Sequence, residues 1–212
     1  RGGFGPFRGC FAVLDPLRGA NVFVSTDQGE TWERRGGAVF PNPDWHEHMI
    51  VERKDGSLWM LARTAKGIMQ SQSTDWGKSW SAPSAPPGIR QPNARFHIRR
   101  LASGRLLLIK HGNRLDAHEG RVQLSAWLSE DDGATWKGGL VLDDRPGVSY
   151  PDGFQSPDGT IFISYDRNRA TDGEILLARF TEEDVVGNRL NGATSKLKML
   201  ISRPLAPKKK GA

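Results

Sequence analysis

Ser25-Thr-Asp-Gln-Gly-Glu-Thr-Trp32, Ser73-Thr-Asp-Trp-Gly-Lys-Ser-Trp80 and Ser129-Glu-Asp-Asp-Gly-Ala-Thr-Trp136 are three copies of one pattern, S-x-D-x-G-x-[ST]-W. In such a segment the Asp side chain can accept hydrogen bonds from nearby backbone amides, Gly supplies a positive φ, and Trp is a large apolar anchor. The pattern therefore reads as a hairpin turn whose Trp belongs to the core. The copies start at positions 25, 73 and 129, which are 48 and 56 residues apart. That period is the length of one four-stranded antiparallel unit with variable loops.

Out of phase with these boxes runs a second repeat: Lys54-Asp-Gly-Ser-Leu-Trp-Met-Leu61, Ala102-Ser-Gly-Arg-Leu-Leu-Leu-Ile109 and Pro157-Asp-Gly-Thr-Ile-Phe-Ile-Ser164. Each is a turn followed by an apolar strand, and the apolar stretches 49–51, 96–98 and 150–154 lead into the turns. The spacing predicts an all-β fold of four-stranded antiparallel blades, with about four blades of a β-propeller present over residues 1–202. Further strands are expected at 175–180 and 196–201, with a short helix at 181–185 opened by Thr181. The ending from Arg203 to Ala212, rich in Pro and Lys, reads as a solvated tail.

Composition narrows the function classes. The chain has 212 residues, 37% hydrophobic and 25% charged, with 25 Gly, 13 Pro and a net charge of +6. Lys and Arg are scattered without an aromatic-interleaved basic cluster, so an anionic small substrate fits the charge and nucleic acid is not expected. A single cysteine, Cys10, forms neither a disulfide framework nor a metal cluster. No stretch approaches the roughly 18 apolar residues of a membrane span. The glycine-rich opening lacks the strand–helix unit of a phosphate cradle, and no cofactor or metal is called for.

Three further segments carry more specific information. His46-Glu-His-Met-Ile-Val-Glu-Arg-Lys-Asp-Gly-Ser-Leu-Trp-Met-Leu-Ala-Arg63 places Glu47 at the start of a strand, Glu52 five positions on, and Arg63 at the end of the strand after the turn. Arg121-Val-Gln-Leu124 enters the third box, and Gly147-Val-Ser-Tyr-Pro-Asp-Gly-Phe154 precedes the third hairpin turn. With the repeated boxes, these segments resemble the sialidase (neuraminidase) superfamily of Asp-box propeller glycoside hydrolases. The matches occur in order over about residues 21–184. Pro151, after the tyrosine, departs from the family pattern.

The resemblance implies a six-bladed propeller in the full family and a retaining exo-glycosidase that releases a terminal sialic acid or related acidic sugar. Tyr150 falls on the catalytic tyrosine and Glu47 on its base, with Arg63 and Arg121 on arginines that bind the substrate carboxylate. Such a carboxylate calls for planar, bidentate cations, and it would repel a carboxylate nucleophile, which gives a reason for a tyrosine. A phenol, with an ordinary pKa of ~10, needs a base to take its proton. Arg95 and Asp152 are further substrate-binding candidates, and Asp166 and Arg167 lie beside the matched strands. Arg95 replaces a Gln common in the family, so the exact sugar is less fixed than the reaction.

The family's general acid and first carboxylate-binding arginine lie upstream of the matched segments, and no role passes to Arg1 or Arg8. The expectation is therefore a fragment, inactive or weakly active alone, whose ring is completed by missing N-terminal blades or an oligomeric partner. The competing readings are a non-catalytic propeller that binds a glycan or protein partner, and a related glycosidase or lyase acting on another sugar. Secretion or periplasmic placement is favoured only by analogy.

Overall fold

The computed structural model describes residues 19–41 and 43–204; Cys10, the glycine-rich opening with Arg1 and Arg8, and the basic ending from 205 onward lie outside the described residues. The described chain is almost entirely antiparallel strand. In order these are β1 (Ala20–Val24), β2 (Glu33–Ala38), β3 (Pro43–Glu52), β4 (Leu58–Thr64), β5 (Gly67–Ser73), β6 (His97–Arg100), β7 (Leu106–His111), β8 (Leu124–Ser129), β9 (Lys137–Asp143), β10 (Val148–Gln155), β11 (Ile161–Arg167), β12 (Glu174–Phe180) and β13 (Lys196–Ser202). They form four sheets, β1-β2, β3-β4-β5, β6-β7-β8-β9 and β10-β11-β12-β13. Among the described residues no helix is long and apolar enough to cross a membrane.

The chain divides into two compact units, one holding the first two sheets up to residue 85, the other residues 86–212 together with 66–68. In the first unit Ala20, Val22, Ala38, Phe40, Met60 and Ala62 form a buried cluster. In the second, β7, β8, β11 and β12 supply most of a larger cluster, including Leu107, Ile109, Ala126, Leu128, Ile163, Tyr165 and Ala178. Every second side chain of these strands enters this cluster, and β7 is buried on both faces.

All three boxes adopt the same internal bonding. The Ser Oγ of each accepts the Gly amide at 2.7 Å in the first and 2.8 Å in the other two. The Asp carboxylate accepts the amide four residues on at 3.0, 2.9 and 2.8 Å, and the Trp Nε1 donates back to the Gly carbonyl at 3.0, 3.0 and 3.1 Å. Positive φ is needed twice in succession, at Gln28, Trp76 and Asp132 and then at Gly29, Gly77 and Gly133. The Trp residues answer only in part to the core role expected from their size: Trp80, half-buried, packs against the first unit's buried cluster, while Trp32 is 64% exposed and Trp136 half-buried. Each indole is occupied in closing its own turn.

In the second repeat, the amides of Arg53, Leu101 and Ser156 bond the carbonyls of Ser57, Arg105 and Thr160 at 2.8, 2.8 and 2.9 Å. The fourth sheet solves its last connection differently. Helix α1 (Glu182–Gly187) replaces a box between β12 and β13, with Thr181 and Asp184 forming a reciprocal capping box. The helix packs on β8 and β9 of the same unit, where a Cβ on Gly138 would stand 2.6 Å from Val185.

Candidate functional site

Two interruptions of the ladders fall at the candidate residues Glu47 and Tyr150. On β3 the pairing with β4 jumps from His46↔Arg63 to Met49↔Leu61, so Glu47 and His48 oppose Ala62 alone. On β10 the pairing with β11 jumps from Ser149↔Asp166 to Asp152↔Ser164, so Tyr150 and Pro151 oppose Tyr165 alone. Both are β-bulges of two residues against one, a device that re-aims a side chain. Glu47 has φ 38° and Tyr150 φ 53°. Positive φ in non-glycine residues costs on the order of 1–3 kcal/mol and persists only where the surroundings enforce it.

In the first unit, Arg63 Nη1 donates to Glu47 Oε2 at 2.9 Å, with the Arg63 side chain 5% and that of Glu47 20% exposed. The bulge breaks the strict alternation of side chains at Glu47 and His48. His48 brings Nε2 to 3.0 Å from the Asn21 carbonyl, which fixes the proton on Nε2. Burial lowers the His48 pKa, and the bond to the Asn21 carbonyl opposes it.

In the second unit, the expected residues gather along β10. Arg121 donates through Nη1 to Ser149 Oγ at 3.2 Å and through Nη2 to the Asn93 carbonyl at 3.0 Å. It lies in the bend before β8 rather than within the strand, followed by Gln123 at φ 53°. Arg95 Nη2 stands 3.3 Å from Asp152 Oδ2, and His97 Nδ1 3.3 Å from Asp152 Oδ1. Asp166 pairs with Arg169, while Arg167 turns to Asp172 and Glu174, both at 3.1 Å. Counting back six residues from Arg53, Leu101 and Ser156, which open the equivalent turns, gives Glu47, Arg95 and Tyr150: one register position in three successive hairpins.

Buried polar groups hold this arrangement. The imidazole of His111 donates from Nε2 to the Val148 carbonyl at 3.0 Å, so Nδ1 is the acceptor for Gln91 Nε2 at 3.1 Å. Burial pushes His111 down to about 4, and burial, opposed by the Asp152 charge, does the same to His97. Lys110, also buried and lowered to about 8 by desolvation, donates to the carbonyls of Arg114 at 2.7 Å and Ala117 at 3.1 Å, pinning the loop that leads to Arg121. Among the described residues no three His, Cys, Asp or Glu side chains are grouped to hold a metal ion.

Sequence reasoning missed Arg169, whose guanidinium carbon lies 4.0 Å from the centre of the Tyr150 ring. The only signal was the turn-forming stretch Asn168-Arg-Ala-Thr-Asp-Gly173, and nothing in it said that the turn folds back on β10.

The family model described as BNR repeat-like domain matches residues 14–163. The chain belongs to this family. Its fold is the sialidase-like β-propeller, and the solved structures it resembles include three sialidases. The intramolecular trans-sialidase from Ruminococcus gnavus, in complex with oseltamivir carboxylate, shares 25% identity at a TM-score of 0.62 over 78% of this chain and 38% of its own. A leech intramolecular trans-sialidase complexed with 2,7-anhydro-Neu5Ac shares 21% identity at 0.60, over 79% and 28%. The NanB sialidase of Streptococcus pneumoniae shares 25% at 0.55, over 69% and 24%. The chain thus spans well under half the length of these relatives. No curated protein matches it at the sequence level. In this BNR propeller the boxes and hairpin turns are the repeat itself, and the bulges at Glu47 and Tyr150 are its local exceptions.

Proposed function

We propose that this chain carries the tyrosine-nucleophile part of a sialidase-type retaining glycosidase acting on a terminal acidic sugar. The observation that supports this best is the strained bulge at Tyr150, with Arg121 bonded to the residue before it and Arg95 to Asp152 just beyond it. Strain of this kind persists only where the surroundings enforce it, and it gathers at functional sites. In this reading the phenol oxygen bonds to the anomeric carbon as the glycosidic C–O bond breaks, and the phenol proton passes to a base, a role assigned to Glu47. Water then attacks the glycosyl–tyrosine, restoring the phenol and giving net retention. Arg63, Arg121 and Arg95 are assigned to the substrate's negative charge.

The test is incubation with an aryl sialoside, whose leaving group needs little help from an acid, followed by mass spectrometry. The expected result is released phenol and a glycosyl adduct on the peptide containing Tyr150, absent in Tyr150→Phe. Saturable sialoside binding with no release, in this chain and in a longer form of the protein, would overturn the enzymatic reading in favour of a glycan-binding propeller.

A further inference from the structure

Among the described residues Arg169 is the cation set against the face of the candidate nucleophile, and several bonds place it there. It sits in the turn after β11, where Asn168, itself at φ 49°, donates its amide to the Gly147 carbonyl at 3.0 Å and its side chain to Asp172 at 2.6 Å. The amides of Thr171 and Gly173 both return to the Asn168 carbonyl at 2.9 Å. The turn is therefore tied to the segment that enters the β10 bulge. Within it the Arg169 guanidinium is forked onto Asp166 Oδ2 through Nε at 2.8 Å and through Nη2. The Asp166 side chain is only 13% exposed, and its other oxygen, Oδ1, is buried without a hydrogen-bond partner. A carboxylate left half-satisfied in the interior is costly unless its remaining interaction matters. What that interaction fixes is a planar cation 4.0 Å from the Tyr150 ring centre.

We propose that Asp166 and Arg169 form a positioning pair for Tyr150, in which the carboxylate holds the guanidinium and the guanidinium clamps the phenol ring in the strained bulge. This rests on the reading of Tyr150 as the nucleophile for its catalytic consequence, but the clamp itself is a structural claim. A cation over an aromatic face is attracted by the ring's quadrupole, here with the Arg169 side chain 56% exposed. That attraction selects one ring orientation and offsets part of the cost of the positive φ. Arg is suited to this because its planar fork stacks and pairs at once, whereas Lys can do only one.

The chain has two tyrosines, so 13C-labelling of tyrosine rings gives an NMR spectrum of two residues. Tyr165 is buried and donates its hydroxyl to Asp143 at 3.0 Å, which makes it an internal control for the fold. In Arg169→Met the Tyr150 ring signals are expected to shift and its ring flips to become faster, with Tyr165 unchanged. Asp166→Asn should reproduce the effect, and the double variant should add nothing to Arg169→Met, because Asp166 acts only through Arg169. Arg169→Lys, the milder substitution should Arg169→Met not fold, should move the Tyr150 signals part of the way.

On an aryl sialoside, kcat should fall on the order of 10–100-fold with KM little changed. Tyr150 signals that stay in place in Arg169→Met or Arg169→Lys overturn the proposal, whatever the activity. Signals that move in a parent protein that cleaves no sialoside uphold the clamp and reject the enzymatic reading instead.

Discussion

The bulges on β3 and β10 have the same backbone and opposite chemistry. Each inserts one extra residue into the first strand of a hairpin, six positions before an equivalent turn, and each puts a non-glycine residue at positive φ. At β3 the residue is an acid, tied to a buried arginine on the facing strand. At β10 it is a phenol, stacked under an arginine that another carboxylate holds. Position for position, Arg63 in one hairpin corresponds to Asp166 in the other: each pairs with the residue just before its bulge, and Arg63 bonds Glu47 directly whereas Asp166 bonds Arg169. The repeat thus fixes where a side chain is presented, and the charged partners around it decide what kind of side chain can be held there.

The comparison breaks first on turnover. Tyr150→Phe should lower kcat on an aryl sialoside by on the order of a thousandfold or more, since covalent catalysis loses its nucleophile. Its stability should change by about 1 kcal/mol or less, because the ring remains to stack. Glu47→Gln should lower kcat too but also destabilise, because the buried Arg63 then loses its charged partner. Steady-state kinetics and urea denaturation on the same preparations check both. Equal stability losses in the two variants would show that the bulges are held in the same way after all.

A second test removes the counter-charge at β3. Arg63→Met should cost about 2–4 kcal/mol, a little below the roughly 3–5 kcal/mol for breaking a fully buried ion pair, because Glu47 is 20% exposed. Arg121→Met should cost about 1 kcal/mol, since Arg121 is only half-buried and bonds neutral acceptors. Denaturation midpoints at constant slope distinguish them. A smaller loss for Arg63 than for Arg121 would contradict the buried pair as the support of the Glu47 bulge.

How much of this was legible in the sequence follows from the range of each interaction. The boxes and turns are local: Ser25, Asp27, Gly29 and Thr31 bond one another within a few residues, so a pattern search recovers them. The short helix announced itself through Thr181 and Asp184 for the same reason. The bulges were not legible, because a bulge is a mismatch in length between two strands and alternation read along one strand cannot show it. Pro151 therefore looked anomalous. Arg169 was invisible because its meaning depends on the Asn168–Gly147 bond that folds the turn back. The exposure of Trp32 was missed because an indole that bonds within its own turn carries the same letter as one that fills a core.

Acid offers a smaller perturbation that falls unevenly on the two hairpins. His97 and His111, flanking β10, are both held down to about 4 by burial, below the ordinary histidine value of about 6.5. Between those limits the unfolded chain binds protons that the folded one refuses. Stability should therefore fall as pH drops from about 6.5 toward 4, by up to about 1 kcal/mol per pH unit for each ring. The box carboxylates Asp75 and Asp131 are held down to about 2, chiefly by the hydroxyls of Ser79 and Thr135. Their contribution, complete above about 4, is lost only as pH falls further toward 2. Urea midpoints at pH 7, 5.5 and 4.5 should thus decline, and His97→Leu should flatten the decline. A parent protein equally stable at all three pH values would show these rings to be hydrated or paired when charged.

The least effect is expected where the two bulges differ by a proline. Pro151 occupies the position that His48 holds on β3, and a bulge residue outside the ladder has no amide bond to lose, which is why a proline fits in the middle of β10. Replacing it brings two opposed changes. The unfolded chain of Pro151→Ala gains freedom, which costs about 0.4–1 kcal/mol of stability. In the folded state, the restriction that a proline imposes on the residue before it is lifted, and that residue is Tyr150, already at φ 53°. Because the relief is of the same order as the entropic loss, the net change should lie within about 0.5 kcal/mol, with kcat unaltered. A loss above about 2 kcal/mol, or a fall in kcat with the fold intact, would mean that the proline ring itself dictates the Tyr150 conformation. The β10 bulge would then be set by its own chain rather than, like that on β3, by the residue opposite.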